Sequence, residues 1–225
     1  MALAKPSSFT IRPPTRATDL APKYGQKAMF TGMTGSGKTT GILNMLPAYY
    51  GKQQIIIADT KSDPALERLY GPVATKLRDL PKVSKWPDNP VVLYRPNGNE
   101  LADLTILDAF CDWVYRRGNT VLVLDEIGQF ARGAYAGPGL TNVYARGRTQ
   151  KVTVLGGTQR PKNVPLIAIT ESQWFLTIRL LYMNDRKRMG EYAHPALIEA
   201  PSSPYGVKVY QVGTQEPIEY VSLTK

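Results

Sequence analysis

A glycine-rich segment that ends in a lysine and a threonine has the clearest chemistry in the sequence. The stretch GMTGSGKT fits the pattern G-x-x-x-x-G-K-[ST]. Glycines let the backbone wrap around a phosphate with its N–H groups pointing inward, and the dipole of a following helix adds to the attraction. Lys38 would then reach the β- and γ-phosphates, and the Thr39 hydroxyl would bind Mg²⁺. The predicted nucleotide-binding residues are Gly32, Met33, Thr34, Gly35, Ser36, Gly37, Lys38, Thr39 and Thr40.

Two acidic residues follow the apolar run VLVL, and they are the expected partners of this phosphate site. At the end of a strand, Asp125 would hold Mg²⁺ through water, with Thr39 as the second metal-binding residue. A carboxylate at Glu126 orients and polarises an attacking water, which predicts ATP hydrolysis, with ATP and Mg²⁺ as ligands. The alternative is that Glu126 is a solvated residue that simply follows a strand.

A third candidate, Gln159, follows the next apolar run in the sequence VTVLGGTQR. A neutral amide at the carboxyl end of a strand lies where ligands of α/β sheets bind, and it can contact the γ-phosphate or the attacking water. A hydrogen-bonded turn residue is the alternative. His194 and Cys111 are the single histidine and the single cysteine, so together they do not make a zinc site, and we assign both to structure.

The elements that must position these residues are short apolar runs separated by helical patterns. Such runs, rich in β-branched or aromatic residues and apolar on both faces, are typical of buried parallel strands. The runs are KAMFT (27–31), QIIIA (54–58), VVLY (91–94), VLVL (121–124), VTVL (152–155) and WFLTI (174–178). Their alternation with helices predicts an α/β fold with a mostly parallel central sheet flanked by helices. The tail PYGVKVYQVGTQEPIEYVSL predicts a closing antiparallel hairpin.

Two helices have recognisable ends in the sequence. The segment LADLTILDAFCDWV carries an apolar stripe, with Asn99 before it as the predicted N-cap. The segment SDPALERLYG has Asp63 as its predicted N-cap, Pro64 at the first helical position and Gly71 past the end. The glycine-rich stretch RGAYAGPGL reads as a loop, either one that contacts DNA or a neighbouring subunit or an ordinary connection.

Length, composition and charge narrow the class of protein. The 225 residues divide into a Pro-, Ser- and Thr-rich N-terminal arm, 1–25, and a domain, 26–225. One cysteine, no signal-peptide core and no run of apolar residues long enough to cross a bilayer favour a soluble intracellular protein. The formal net charge of +10 favours a nucleic acid or an anionic membrane face as partner, with plain solubility as the alternative.

Basic residues cluster in one part of the sequence, which favours nucleic acid over the other partners. The segment from 146 to 188 contains nine basic residues and two acidic residues. The nine are Arg146, Arg148, Lys151, Arg160, Lys162, Arg179, Arg186, Lys187 and Arg188.

The order and spacing of these motifs resemble the FtsK/HerA superfamily of ring ATPases that pump double-stranded DNA. GMTGSGKTT resembles the family's P-loop, IIIADTK resembles its D-x-K signature through Asp59 and Lys61, and VLVLDE resembles its Walker B strand. The stretch YARGRTQKVTVLGGTQRPKNVP is similar to the family's sequence from an arginine to TQRP. The resemblance covers roughly residues 26–190 and implies a RecA-like (ASCE) P-loop NTPase fold.

The family pattern also implies roles for single residues. An arginine ten residues before the Thr-Gln pair acts on the ATP of the neighbouring subunit, and Arg148 occupies that position. Arg146 is the second candidate for the same role. Gln159 takes the role of a sensor of hydrolysis. With Lys38 and Glu126, these residues complete the expected catalytic set.

A narrower resemblance follows from size. The sequence shows no counterpart of the large N-terminal domain, the membrane segment or the winged helix of bacterial chromosome translocases, nor of the N-terminal barrel of archaeal HerA. It most resembles the genome-packaging ATPases of membrane-containing, double-jelly-roll viruses and phages. This implies a double-stranded DNA translocase that packages a viral genome into a preformed capsid as a homo-oligomeric, hexameric or pentameric ring. Capsid-vertex or viral membrane proteins would be further partners, in the host cytoplasm or on the virion.

Two other functions stay open on the sequence alone. A morphogenesis or secretion ATPase like the Zot proteins of filamentous phages would act on protein or on virion assembly. Such relatives usually carry a membrane-spanning helix, and the sequence shows none. A nucleotide-gated interaction protein that hydrolyses ATP poorly is the third reading, and Glu126 argues against it.

Overall fold

The computed structural model of the chain describes residues 10–13, 15–63, 66, 71–85 and 87–224. The strands in this part of the chain are β1 (Thr10–Arg12), β2 (Thr15–Arg16), β3 (Lys27–Thr31), β4 (Gln54–Ala58), β5 (Val73–Ala74), β6 (Val91–Tyr94), β7 (Thr120–Leu124), β8 (Ala131–Arg132), β9 (Tyr135–Ala136), β10 (Thr153–Thr158), β11 (Trp174–Thr177), β12 (Val207–Gln211), β13 (Ile218–Tyr220) and β14 (Leu223–Thr224). The helices are α1 (Lys38–Met45), α2 (Leu80–Val83), α3 (Gly98–Ala102), α4 (Leu104–Arg117), α5 (Pro138–Arg146), α6 (Leu166–Thr170) and α7 (Met183–Tyr192). Short 3₁₀ turns lie at Ala17–Leu20, Leu46–Tyr49, Leu77–Asp79, Ile127–Phe130, Pro161–Asn163 and Pro195–Ile198.

One large sheet organises the described residues, with ten strands in the order β1-β13-β12-β11-β3-β10-β7-β4-β6-β5. Strand β12 is antiparallel to both of its neighbours, and the other neighbouring pairs of this sheet are parallel. The predicted α/β class with a mostly parallel sheet is therefore confirmed. All six apolar runs form strands, and β12 and β13 form the predicted antiparallel hairpin, with Val207 opposite Tyr220.

Strand β10 lies between β3, which precedes the glycine-rich loop, and β7, which precedes the acidic pair. Because parallel strands end at the same edge of a sheet, the three chemically suggestive segments leave the sheet side by side. We call this side the carboxyl edge and the opposite side the amino edge. The topology alone thus gathers residues that are far apart in the sequence.

Both faces of the sheet are covered, which explains why its central strands are apolar throughout. Successive residues of a strand point to opposite faces. In β3, Met29 packs in the core cluster that contains α4 and α5, whereas Ala28 and Phe30 pack in the cluster that contains α1. The result is a sheet between two layers of helices, with the helix α1 and the glycine-rich loop on one side.

The predicted single helix with Asn99 as its N-cap is wrong, because two helices occupy this segment. Asn97 caps α3, and its side-chain oxygen accepts hydrogen bonds from the backbone N–H groups of Asn99 and Glu100, both at 3.1 Å. Asp103 then leaves the helical conformation and caps α4 by accepting from the N–H of Thr105 at 2.9 Å. An aspartate side chain that bonds nearby backbone competes with helix continuation, which explains the break.

The helix predicted from Asp63 and Pro64 falls mostly outside the described residues. The segment predicted as an N-terminal arm is described from Thr10, apart from residue 14. Strand β1 pairs with β13 at the end of the large sheet, and Ala17 and Leu20 are buried. Across the described residues, no helix has the length and hydropathy needed to cross a membrane.

Candidate active site

The loop between β3 and α1 has the geometry of an anion cradle. Gly35 and Gly37 adopt φ angles of +75° and +90°, which favour glycine. A Cβ at Gly32 would lie 2.6 Å from the Ser36 Oγ, so this glycine permits the tight turn. Among the described residues, the N–H groups of Gly35, Gly37, Lys38 and Thr39 find no hydrogen-bond acceptor. Unsatisfied donors at the start of a helix are what a phosphate group binds.

Lys38 lies inside this loop and is held close to it. Its side chain is only 6% exposed, and Nζ donates to the Met33 carbonyl at 3.3 Å. Burial, together with the nearby charge of Lys61, lowers the pKa of Lys38 to about 8, although Glu126 and Asp125 oppose the shift. A lysine held this way lacks a full counter-charge, and a bound phosphate would supply one.

Asp125 follows the end of β7 and is buried, and one of its two carboxylate oxygens accepts hydrogen bonds. Its Oδ1 accepts hydrogen bonds from the Thr60 N–H at 3.2 Å and from the Thr60 hydroxyl at 2.7 Å. Its Oδ2 lies 4.0 Å from the Lys61 Nζ. Burial raises the pKa of Asp125, whereas Thr60 and Lys61 act in the opposite direction. One carboxylate oxygen thus remains available, and with the half-buried Thr39 hydroxyl it offers the oxygen ligands that Mg²⁺ prefers.

Glu126 is fixed against the end of β10. The Thr158 hydroxyl donates to its Oε1 at 2.7 Å, and the N–H of Gln159 lies 3.3 Å from both carboxylate oxygens. The Lys61 Nζ is 3.8 Å from its Oε2. Glu126 is therefore not a freely solvated residue. Its carboxylate is oriented by three groups at the carboxyl edge.

Gln159 connects the glycine-rich loop to this carboxylate. The Thr34 hydroxyl donates to the Gln159 Oε1 at 2.6 Å, while the Gln159 backbone N–H faces Glu126. A ligand that moves Thr34 would therefore also move the residue that helps to hold Glu126. Gln159 is thus hydrogen-bonded at the end of β10, and the sensor role that the resemblance implies stays a prediction.

The D-x-K segment after β4 has two distinct parts. The buried Asp59 carboxylate forms an ion pair with Arg95 at 2.9 Å and accepts from the N–H groups of Lys61 and Asp63 at 3.2 and 2.9 Å. Asp59 therefore shapes the loop. Lys61 uses that shape to direct its ammonium group to the acidic pair, Asp125 and Glu126.

Solved structures share this architecture, although no family model and no curated protein matches the sequence. The genome-packaging NTPase B204 of Sulfolobus turreted icosahedral virus 2, in complex with AMPPCP, matches with a TM-score of 0.72 at 18% identity, over 89% of this chain and 98% of that one. B204, the DNA-packaging ATPase from Sulfolobus turreted icosahedral virus, matches with a TM-score of 0.71 at 18% identity, over 90% and 100%. The chain has the fold of a P-loop ATPase.

A third structure extends the comparison to secretion. The cytoplasmic domain of the type VII secretion ATPase EccC from Thermomonospora curvata matches with a TM-score of 0.60 at 16% identity, over 98% of this chain and 30% of that one. The P-loop ATPase fold that the motifs predict is confirmed by these structures.

Two glycines of β10, which the sequence motifs do not include, shape the candidate site. A Cβ at Gly157 would lie 2.8 Å from the Asp125 carbonyl oxygen, and one at Gly156 would lie 2.6 Å from the Ile127 Cδ1. These glycines let β7 and the turn after it pack closely on β10. The signal was present in the sequence, because paired glycines inside a strand mark a close approach of other atoms.

Arg148 and Arg146 lie away from this P-loop ATPase site. Both side chains are exposed in the region before β10, where the Arg148 Cα would be 3.0 Å from a Cβ at Gly25. This is the amino edge, and six residues of β10 separate it from the carboxyl edge. At about 3.3 Å per residue, the separation is about 20 Å. Neither arginine is brought to the phosphate loop of the same chain.

The basic residues that cluster in the sequence are also separated in space. Near the carboxyl edge, Arg160 pairs with Asp185 at 2.8 Å and lies 4.2 Å from the Tyr182 ring. Arg188 lies 5.2 Å from the Tyr192 ring. These arginines have structural contacts. The cluster members at the amino edge are exposed and are Arg146, Arg148 and Lys151.

Cys111 and His194 lie away from the candidate site. Cys111 is buried in the core on α4. His194 caps a 3₁₀ turn, since its Nδ1 accepts from the Ala196 N–H at 3.2 Å. Both contacts are structural, as the sequence predicts.

Proposed function

We propose that this chain is an ATP-hydrolysing motor that moves double-stranded DNA, and that it packages a viral genome into a preformed capsid. The observation that carries the proposal is the placement of Glu126, which is oriented beside a phosphate loop by Thr158 and Gln159. The fold shared with a viral genome-packaging NTPase supports the assignment to packaging.

The proposed hydrolysis uses the residues of the carboxyl edge. The loop N–H groups and Lys38 hold the β- and γ-phosphates, and Thr39 and Asp125 supply oxygen ligands for Mg²⁺. When bound, Mg²⁺ neutralises charge on the phosphates. Glu126 orients a water and takes its proton as the water oxygen bonds to the γ-phosphorus. The bond from that phosphorus to the bridging oxygen breaks, and ADP leaves with the electron pair.

We infer that the motor is a ring of identical subunits, hexameric or pentameric, in which Arg148 completes the site of a neighbour. The amino-edge position of Arg148 supports a role between subunits, because its own phosphate loop is about 20 Å away. An arginine that reaches a γ-phosphate from a neighbour accelerates hydrolysis by about 10³–10⁵-fold. Arg146, two residues before Arg148 at the end of α5, is the second candidate.

A DNA motor must accept any sequence, so we expect it to bind phosphates rather than bases. The net charge of +10 supports this mode of binding. The proposed location is the host cytoplasm, with the virion as the second site. Capsid-vertex or viral membrane proteins are the proposed further partners.

The test is ATP turnover with and without double-stranded DNA, at low and at high salt. We expect DNA to stimulate turnover, and salt to abolish the stimulation because phosphate contacts release counterions. Glu126→Gln should bind ATP and lose turnover under all conditions. Arg116→Ala, which removes an exposed arginine that pairs with Asp112, should behave as wild type.

The alternative function is a morphogenesis or secretion ATPase like the Zot proteins. The fold shared with a secretion ATPase supports this alternative. Turnover that ignores DNA, in a preparation shown to be oligomeric, would overturn the DNA motor and favour this alternative. Absence of turnover in an oligomer that binds ATP would favour the nucleotide-gated interaction protein.

A further inference from the structure

A cleft of about 250 Å³ opens beside the phosphate loop, on the side of the C-terminal segment. This volume is just below the range of about 300–1,000 Å³ that encloses a whole ligand, so the cleft suits part of a nucleotide. It starts at Ser36 and Gly37 of the loop and runs along α1. The residues that line it are Ser36, Gly37, Thr40, Gly41, Asn44, Ile178, Tyr205, Val207, Ser222 and Leu223.

The far wall of the cleft includes Ser222 and Leu223, near the C-terminal end of the described residues. Strand β14 pairs with β2, with Leu223 opposite Thr15, which anchors the C-terminal strand to the N-terminal segment. Gly41 of α1 faces this wall, and a Cβ there would lie 3.3 Å from the Leu223 Cδ1. A larger residue at position 41 would press on this wall. The shape of the cleft therefore depends on the β14–β2 pairing and on the glycine at position 41.

The lining has the chemistry of a site for a flat, polar-edged ring. Tyr205 stands at the cleft and is 76% exposed. Ile178 and Leu223 supply apolar surface. Asn44 lies one helical turn after Thr40, and its half-buried amide makes no hydrogen bond to another described residue. An aromatic ring stacks on any base, and an asparagine amide pairs with the N6 and N7 atoms of adenine.

We propose that this cleft binds the base of the nucleotide, with Tyr205 stacking on the ring and Asn44 hydrogen-bonding to the adenine edge. The proposal rests on the proposed function, since it requires a nucleotide whose phosphates occupy the glycine-rich loop. It adds residues that no nucleotide motif of the sequence contains. The C-terminal segment thereby becomes part of the nucleotide site and selects among nucleotides.

The experiment measures dissociation constants for ATP, GTP and ribose 5-triphosphate, which has the same phosphates and sugar but no base. The wild type should bind ATP about tenfold more tightly than ribose 5-triphosphate. Tyr205→Ala should remove that advantage and leave the affinity for ribose 5-triphosphate unchanged. Asn44→Leu, which keeps the approximate size but removes both the donor and the acceptor, should remove most of the preference for ATP over GTP, because only adenine N6 can donate to the Asn44 oxygen.

Matched variants separate this proposal from the proposed function. Tyr50→Ala removes another exposed tyrosine, outside the cleft, and should bind all three ligands as wild type does. Lys38→Ala should lose all three ligands, because they share the phosphates. If the wild type binds ATP and ribose 5-triphosphate equally, the base site is wrong and the phosphate site stands. If the wild type binds none of the three, both proposals are wrong.

Discussion

The two edges of the central sheet differ in whether their charged side chains have partners. At the carboxyl edge, Asp59 is paired with Arg95, Asp125 is bonded to Thr60 and Glu126 is bonded to Thr158. At the amino edge, a group of exposed cations makes no ion pair with any described carboxylate. These cations are Lys23, Lys52, Arg146, Arg148 and Lys151.

The contrast separates a site whose charged groups are held by neighbouring side chains from a surface whose exposed cations lack such contacts. Groups that already hold their geometry need no rearrangement when charge develops on a phosphate, which favours catalysis. Unpaired exposed cations contribute little to the stability of a single subunit. Under the proposed function, these cations would act beside an external anion, either DNA or the nucleotide of a neighbouring subunit.

The largest expected effect tests this division at the amino edge. We predict that Arg148→Ala lowers ATP turnover by about 10³-fold, because the neighbour's phosphates lose a cation in the transition state. A mixture with Glu126→Gln should recover part of the turnover, since some interfaces then combine an intact Glu126 with an intact Arg148. Turnover of each variant alone and of titrated mixtures is the measurement.

Arg116→Ala is the matched control, because Arg116 is exposed at the same end of the sheet but pairs with Asp112 at 2.8 Å. It should retain full turnover. Loss of activity in Arg148→Ala without recovery on mixing would contradict action between subunits. Loss in Arg146→Ala instead of Arg148→Ala would transfer the role to the second candidate.

The carboxyl edge could be predicted from the sequence because its signals are local. Each motif directly follows a short apolar run, and parallel strands end at a common edge. The P-loop residues, Asp125, Glu126 and Gln159 therefore meet as predicted. The hydrogen bonds that hold Glu126 were not foreseen, because they depend on the register of β10 against β7, which pairs Gly156 with Leu124.

Features set by distant contacts could not be read from local sequence. Helix α5 begins among glycines and a proline, so the segment reads as a loop. Its first turn is instead capped from α4, where the Asp108 carboxylate accepts from the N–H groups of Gly139 and Leu140, each at 2.9 Å. A Cβ at Gly137 or Gly139 would collide with Asp108, which explains these glycines.

A smaller effect tests how firmly the carboxyl edge is organised. We predict that Thr158→Val lowers kcat about tenfold and leaves the KM for ATP unchanged, because Glu126 loses the hydroxyl that orients it. A hydrogen bond to a charged group is worth about 1.5–3 kcal/mol. Thr158 acts through Glu126 and is therefore a positioning residue. Steady-state kinetics over a range of ATP concentrations make the measurement.

Thr158→Ser is the control, since it keeps the hydroxyl and should retain most of the turnover. If Val and Ser lower kcat equally, packing rather than the hydrogen bond is responsible. If Val raises KM and leaves kcat unchanged, Thr158 contributes to ATP binding instead.

A pH titration tests the charge of Lys38. Burial lowers the pKa of this lysine to about 8, so its ammonium group loses its proton as the pH rises through that value. Bound phosphate favours the charged form, so ATP binding should take up a proton above pH 8. We predict constant ATP affinity at lower pH and a fall approaching tenfold per pH unit above about 8.

The measurement is calorimetric titration with ATP and EDTA from about pH 7 to 9.5, in buffers of different ionisation enthalpy. Lys38→Arg is the control, because a guanidinium stays charged throughout this range and its affinity should not change. A parallel fall in both proteins would place the titrating group elsewhere. A flat profile in the wild type would mean that Lys38 keeps its proton, and that the acidic pair at the carboxyl edge compensates burial more fully than the shifted pKa indicates.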